Sequence, residues 1–243
     1  MILFIASAMM EFSAYHANPE MMDVMNSMPP ALLEAFQLNA FNFTTVIGFF
    51  GVMFSWLALL NSVFAVMLGS DIISKEERDK TVEFSLTLPI PRRKLITSKI
   101  LAAVVYCIAL LLITWGTSLV NVAKYQPAGE VYVFLSLIML ALFILQLIFL
   151  AVGVFLGCAM KQHKRANSVA VSLLLGTYFI SIIAGLQENL EFLKYFSPFK
   201  FFDPAVMLHE SKLELGFVWL SAGIIAVLIT GAYVTYSRRD LYI

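Results

Sequence analysis

The chain is organised around five long stretches without a charged side chain, each bounded by acidic or basic residues. A transmembrane helix needs about 20 consecutive apolar residues. The densest parts of these stretches are 46–70, 100–123, 131–158, 166–187 and 215–237. The first ten residues are also apolar, but Glu11 follows at once, so 1–16 predicts only part of a span. The pattern therefore predicts an all-α integral membrane protein in which residues 1–243 form a single transmembrane domain.

The N-terminal stretch lacks the basic residues and the clear cleavage site of a signal peptide. We expect it to be the outer half of a first span whose beginning is missing or wrongly assigned in this chain. The predicted fold then has six helices, of which the first is truncated.

Composition supports the membrane prediction and excludes other classes. The residues AVILMFWYC make up 60% of the chain and only 13% is charged, against about 45–50% and about 25% in soluble domains. Mean hydropathy is +0.86. Sixteen basic and sixteen acidic residues give zero net charge, so nothing attracts nucleic acid in bulk. Cys107 and Cys158 lie within apolar runs, which indicates neither a disulfide framework nor a metal cluster.

Basic residues are distributed unevenly between the segments that join the spans. Twelve fall in 71–99, 161–165 and the C-terminal end, and four fall in the segments on the other side of the membrane. Because cytoplasmic segments collect Lys and Arg, we expect the twelve, and the C-terminus, to be cytoplasmic. Segments 17–45 and 188–214 are then external.

The external segments and the spans offer further candidates. Prolines followed by helix formers in 28–36 predict a short surface helix. The aromatic residues and prolines of 195–204 predict short, broken helices at the outer interface, with an external gate as the alternative. Gly153 and Gly157 form a GxxxG pattern typical of close helix packing. Asn61 and Gln146 are predicted to hydrogen-bond between helices, or else to line a substrate path.

The long cytoplasmic segment predicts a helix of its own. Ser74 and Glu77 have the spacing of a capping box, which starts a helix, and Pro89 would stop it. The resulting helix 74–88 is charged in its first half and apolar in its second. It could lie on lipid headgroups or dock on a cytoplasmic partner, and its run of acidic residues favours the partner because anionic lipid repels them. Arg92, Arg93 and Lys94 would form a cytoplasmic anchor.

A search for catalytic patterns finds no consistent set. The chain contains no nucleotide-binding GxxxxGK[ST], no HExxH and no GxSxG. Fragments of the intramembrane CAAX-protease pattern occur around His16 and His163, and Glu76–Glu77 is present, but Thr81 stands where that pattern needs Arg. The two histidines would lie on opposite sides of the bilayer, about 30 Å apart. We therefore predict no catalytic residue and no metal site.

The stretch from Glu76 to Lys99 resembles the signature of ABC-2 type transporter permeases. It has an acidic pair, Lys80–Thr81, a Val-Glu-Phe sequence, a short apolar run, Pro89 and basic residues before the next span. Segments 28–36, 197–204 and 238–241 are similar to other parts of that family. The resemblance covers nearly the whole chain.

The resemblance implies a six-helix, type V exporter-like transmembrane domain in a bacterial plasma membrane. Two such subunits, identical or different, would form the pathway, and separate ABC subunits would bind ATP and Mg²⁺, so this chain would bind no cofactor. Helix 74–88 would be the coupling helix that contacts the ATPase, through Glu76, Glu77, Thr81, Glu83, Phe84, Leu86 and Pro89. A membrane scaffold or immunity protein and, more remotely, an intramembrane protease are the alternatives.

Overall fold

The computed structural model describes most of the chain. It covers residues 1–16, 27, 29, 41–42, 44–78, 91–160, 162–186 and 188–238. Within these ranges the side chains at 15, 76–78, 163, 164, 186, 188–191 and 238 are outside the description. The predicted surface helix 28–36 and most of the predicted coupling helix also lie outside the described residues.

Helices and their connecting turns account for the described residues, without a strand among them. The α-helices are α1 (Ile2–Tyr15), α2 (Val46–Arg78), α3 (Arg92–Val122), α4 (Gly129–Ala159), α5 (His163–Leu186), α6 (Pro204–Glu210) and α7 (Leu215–Arg238). Short 3₁₀ helices occupy Ala123–Tyr125, Glu188–Phe196 and Pro198–Lys200. The all-α prediction is confirmed for this part of the chain.

Five of these helices are long and apolar enough to cross a membrane. They are α2, α3, α4, α5 and α7, and each overlaps one of the five charge-free stretches of the sequence. α1 has 14 residues and is therefore about 21 Å long, less than the roughly 30 Å of a hydrocarbon core. The protein is a multi-pass membrane protein.

α2 and α4 form the centre of the bundle and share its most extensive helix contact. α7 packs on α4, α5 chiefly on α2, and α3 on both. Large aromatic side chains fill the interior around this pair, including the fully buried Phe50, Phe54 and Phe149. The bundle has two ends: the loop end, where α2 finishes at Arg78 and α3 begins at Arg92, and the opposite end, where α2 begins.

α1 packs on the bundle through the buried side chains of Ile5, Met9 and Phe12. Phe12 is fully buried, and its ring centroid lies 4.7 Å from that of Phe49 and 5.1 Å from that of Tyr125. These partners belong to the first turns of α2 and to the 3₁₀ turn after α3. α1 thus ends at the opposite end of the bundle.

The segment between α5 and α7 consists of short, broken helices, as the prolines predicted. Asp203 caps α6 by accepting a 2.8 Å hydrogen bond from the Ala205 amide, and Pro204 occupies the first helical position. The segment is fixed to the bundle by Phe199, whose ring lies 5.1 Å from Phe149 and 5.3 Å from Tyr178. Phe149 and Tyr178 lie in the second halves of α4 and α5, so the segment reaches into the bundle beside both helices and does not cover only their ends.

One prediction about the loop end is wrong. Ser74 does not begin a new helix, because α2 runs without interruption from Val46 to Arg78. The Ser74 hydroxyl donates a 2.7 Å hydrogen bond to the Ser70 carbonyl, one turn back in the same helix. A serine that follows a complete helical turn satisfies its own hydroxyl in this way, and the preceding amides already have partners. α2 is therefore one continuous helix from its contact with α4 to Arg78, after which residues 79–90 follow.

Candidate functional site

The two helix ends that flank residues 79–90 are tied together by a buried lysine. Lys99 of α3 is 9% exposed, and its ammonium group donates a long hydrogen bond of 3.4 Å to the Ile73 carbonyl of α2. An ammonium buried without partners would be costly. The contact therefore fixes α3 against α2 one turn before α2 ends.

Sequence reasoning counted Lys99 among the basic cytoplasmic residues and did not predict that it is buried. The sequence signal that could have predicted this burial is the side of the helix on which Lys99 lies. Ile96 and Ala103 lie three residues before it and four residues after it, and both are almost completely buried. Residues at these spacings share one side of a helix, so a lysine between them has to point at the neighbouring helix.

The predicted anchor residues occupy the first turn of α3. Pro91 precedes the helix in an extended conformation, and Arg92, Arg93 and Lys94 follow it. Arg93 and Lys94 are exposed and Arg92 is partly buried. Positive charges at a helix N-terminus oppose the helix dipole, which costs roughly 0.3–1 kcal/mol for each charge. The cluster therefore favours an anionic neighbour.

The residues predicted to contact an ATPase are only partly described. Glu76 and Glu77 lie in the last turn of α2, so they extend the helix that begins in the central pair. Thr81, Glu83, Phe84, Leu86 and Pro89 lie outside the described residues.

Further from the loop end, α2 and α4 are joined by a hydrogen bond between two buried polar side chains. The Gln146 amide donates a 2.8 Å hydrogen bond to the Asn61 side-chain oxygen, and the Asn61 amide donates one of 2.8 Å to the Leu57 carbonyl. Both side chains are fully buried. This is the interhelical hydrogen bond that the sequence predicted, and in an apolar surrounding it holds the two helices in register.

Closer to the loop end, glycines bring the two backbones of the pair together. A methyl group on Gly153 would overlap the Val66 carbonyl, and one on Gly69 would lie 2.5 Å from the Leu150 carbonyl. A methyl group on Gly157 would lie 3.0 Å from the Ser70 carbonyl. Only residues without a side chain allow so close an approach, as in other packed transmembrane helices.

The contact surface between α2 and α4, called the seam below, also contains polar atoms that have no hydrogen-bond partner among the described residues. Three such atoms are buried and make no hydrogen bond to a described residue: the hydroxyl oxygens of Ser62 and Ser70 and the side-chain carbonyl oxygen of Gln146. Polar groups of this kind are costly in a membrane interior unless a partner is supplied. The seam between α2 and α4 therefore carries several buried polar groups in an otherwise apolar surrounding.

The opposite end has a cavity of about 590 Å³ beside the start of α2. Its lining is mainly apolar and includes Phe41, Val131 and Leu208, with His16 at one side. His16 Nδ1 donates a 3.1 Å hydrogen bond to the Thr44 carbonyl oxygen, and the His16 ring lies 5.0 Å from that of Tyr125. The histidine thus has structural partners in this wall.

These positions also separate the two histidines of the protease-like fragments. His16 lies near the start of α4, whereas His163 begins α5 just after the end of α4. α4 has 31 residues and is about 46 Å long, so these two chain positions are too far apart to share a water or a metal ion. Among the described residues, no group of three or more His, Cys, Asp or Glu side chains could hold a metal.

Comparison with known proteins assigns the chain to a family. A search of curated proteins finds no match. A family described as ABC-2 family transporter protein matches residues 2–241, which is almost the entire chain. The long apolar helices agree with the non-catalytic membrane subunit that this family represents. The chain therefore belongs to the ABC-2 transporter family and is a membrane permease of the ABC transporter class.

Proposed function

We propose that this permease forms half of an ATP-driven export pathway and is moved by a separate ABC subunit that binds the 74–88 region. The observation that carries the proposal is the continuity of α2. The helix has 33 residues and is about 50 Å long, whereas the hydrocarbon core is about 30 Å thick. One rigid element thus connects the seam with α4 to the segment that resembles the family's coupling helix.

The packing supports a mechanism in which α2 and α4 move as one body. Glycine-mediated backbone contacts and the Asn61–Gln146 hydrogen bond resist sliding between these two helices. A force on residues 79–90 would act on both α2 and α3, which flank this segment in the chain, and the contact of Lys99 with the Ile73 carbonyl would couple the two helices. Packed helices respond to such a force by small shear movements at their weaker contacts, which here are those of the outer helices.

The remaining parts of the proposal follow the family. A second permease subunit, identical or different, would complete the pathway, and ATP with Mg²⁺ would bind only to the ABC subunits. The C-terminus and the loop end would face the cytoplasm of a bacterial cell. The transported substrate is left open, because peptides, lipids, drugs and ions are all compatible with uncharged spans.

The orientation can be tested by thiol labelling in intact cells, in a variant without Cys107 and Cys158. Ser74 is buried, so the exposed neighbour Lys75 is the better reporter at the loop end. Lys75→Cys should be protected from a membrane-impermeant reagent and Ala128→Cys should react. Labelling of Lys75→Cys from outside would reverse the proposed orientation.

Docking can be tested with Phe84→Ala, Leu86→Ala and Glu83→Lys in one chain. A buried anchor at a hot spot is worth about 2 kcal/mol, and the reversed charge opposes encounter with the partner. Pull-down of the ABC subunit and stimulation of its ATPase activity in the reconstituted complex should fall together. Lys212→Gln is the control, because its 3.2 Å ion pair with Glu210 is exposed at the opposite end. Full stimulation by the triple variant would reject this docking site.

Transmission through the lysine contact can be separated from docking. Lys99→Met keeps the length of the side chain but removes the hydrogen bond to Ile73. We expect normal pull-down of the ABC subunit with reduced ATPase stimulation, and Lys94→Met, which changes an exposed lysine of the same helix, should leave both unchanged. Unaltered stimulation with Lys99→Met would show that α3 is not driven through this contact.

A further inference from the structure

A second cavity lies between the first turns of α3 and the last turns of α7, at the loop end. Its volume is about 420 Å³, and it is lined by Arg93, Thr230, Tyr233, Val234 and Ser237. It is outside the α2–α4 seam and plays no part in the proposed coupling. Among the described lining residues, the one that is charged is basic, and the four others supply three hydroxyls and one valine side chain.

The hydrogen bonds already made around the cavity determine which ligand groups the hydroxyls of Tyr233 and Ser237 can still bind. Thr97 donates its proton to the Arg93 carbonyl at 2.7 Å. The 2.6 Å contact between the Thr97 and Tyr233 hydroxyls therefore uses the Tyr233 proton, since each hydroxyl has only one. Ser237 donates to the Val234 carbonyl at 2.8 Å. The oxygens of Tyr233 and Ser237 are thus left as acceptors, next to a guanidinium that is a donor.

The charge around the cavity calls for an anion. Arg93 lies in the first turn of α3, where the positive end of the helix dipole adds to its own charge. No acidic side chain is among the described lining residues. An arginine binds a phosphate through two parallel hydrogen bonds, and basic pockets between transmembrane helices are suited to lipid headgroups.

The surface next to the cavity is suited to acyl chains. On α3, Arg93, Thr97 and Leu101 follow each other at intervals of four residues, and Leu101 is 60% exposed. On α7, Ser237, Val234, Thr230 and Val227 share one face, and Val227 is 72% exposed. The α3 face thus changes from polar to apolar with distance from the loop end, as a lipid does from headgroup to chain, and the α7 face ends in an exposed apolar residue.

We propose that this cavity binds an anionic phospholipid whose headgroup carries hydroxyls, of the phosphatidylglycerol type. Arg93 binds the phosphate, and the oxygens of Tyr233 and Ser237 accept hydrogen bonds from the headgroup hydroxyls. The acyl chains lie along the apolar faces of α3 and α7. A choline headgroup is disfavoured, because it has no proton to donate and adds a positive charge to a basic site.

The test measures lipid retention on the purified full-length permease by native mass spectrometry, with phosphatidylglycerol or phosphatidylcholine of identical chains. We expect retention of phosphatidylglycerol to require about tenfold more lipid in Arg93→Gln than in the parent. Lys94→Gln removes the same charge one residue away, outside the lining, and should change retention less than twofold. Val234→Trp fills the cavity without changing charge and should also weaken retention.

Several outcomes would overturn the proposal. Equal losses in Arg93→Gln and Lys94→Gln would mean that the basic cluster attracts lipid without a defined site. Equal retention of phosphatidylcholine would reject headgroup recognition. Displacement of the lipid by millimolar inorganic phosphate would show that a phosphate ion, and not a lipid, is the ligand. Unchanged retention in Val234→Trp would place the lipid elsewhere.

Discussion

The central helices α2 and α4 and the outer helices α3, α5 and α7 are all long and apolar but differ sharply in burial. Half of the most apolar part of α2 and 61% of that of α4 is buried, against 17%, 17% and 11% for α3, α5 and α7. α2 and α5 have the same mean hydropathy over these parts. Hydropathy alone therefore does not determine which helix lies in the centre.

The difference lies in the residues that allow helices to approach. Lipid is as apolar as leucine, so transmembrane helices associate through close packing and polar contacts. α2 and α4 have the Asn61–Gln146 pair and glycines that fit against the facing backbone. Gly176 of α5 and Gly223 of α7 face open space, and Gly231 of α7 meets only the side chain of Phe155. A central helix in this protein is one whose glycines meet the backbone of the facing helix.

Among the substitutions that test this comparison, Gly153→Leu is expected to have the largest effect on the free energy of unfolding. Its side chain would have to displace the Val66 backbone, and overpacking of this kind costs about 3 kcal/mol. The free energy of unfolding, measured by denaturant titration in detergent micelles, should fall accordingly. Gly176→Leu in α5 is the matched control and should be neutral or stabilising, because leucine has the higher helix propensity. Equal effects would remove the distinction between the two classes of helix.

The polar pair should give the next largest effect. Gln146→Leu leaves the Asn61 side-chain oxygen buried without its donor, which should cost about 2 kcal/mol of unfolding free energy. The double variant with Asn61→Leu should lose less than the sum of the two single changes, with a coupling of about 1 kcal/mol. Ser221→Ala in α7 removes a hydroxyl that bonds only within its own helix and serves as control. Strict additivity in the double variant would argue against the pair.

A smaller effect is expected where two outer helices are joined by a hydrogen bond. Tyr233→Phe removes the 2.6 Å contact between α7 and Thr97 of α3. Because this hydrogen bond lies at the exposed end of the bundle, its loss should lower the unfolding free energy by about 1 kcal/mol or less. A loss larger than that of Gln146→Leu in the same titration would reverse the proposed ranking of central and outer contacts.

The smallest effect is expected on the open face of α7. Val227 is 72% exposed, so Val227→Ala should change the unfolding free energy by less than about 0.5 kcal/mol. Val154→Ala in α4 removes the same two methyl groups from a fully buried position and should cost about 2 kcal/mol. A large loss with Val227→Ala in the assembled transporter but not in the isolated chain would reveal that a second subunit covers this face.

Some features of the candidate site were predictable from sequence patterns, and others were not. The interhelical bond between Asn61 and Gln146 was predictable, because amides in an uncharged span need a partner and few are available. The start of a helix at Ser74 was predicted wrongly. A capping box is a local pattern, and here the preceding turn of α2 already supplies the hydrogen bonds that a cap would provide. The buried Lys99 was missed because its acceptor is a backbone carbonyl of another helix.

The sequence by itself determined the class of this protein. Charge-free stretches of sufficient length permit only helices in a bilayer, since each backbone group must be satisfied within its own segment. Those stretches also determined where the spans lie, and the residues from Glu76 to Lys99 indicated the family. Only the tertiary structure decided which helices are central, because a glycine permits a close contact but does not specify the backbone that fills the space. The same holds for the basic cavity, whose two walls are separated by more than a hundred residues and meet only when α7 packs beside α3.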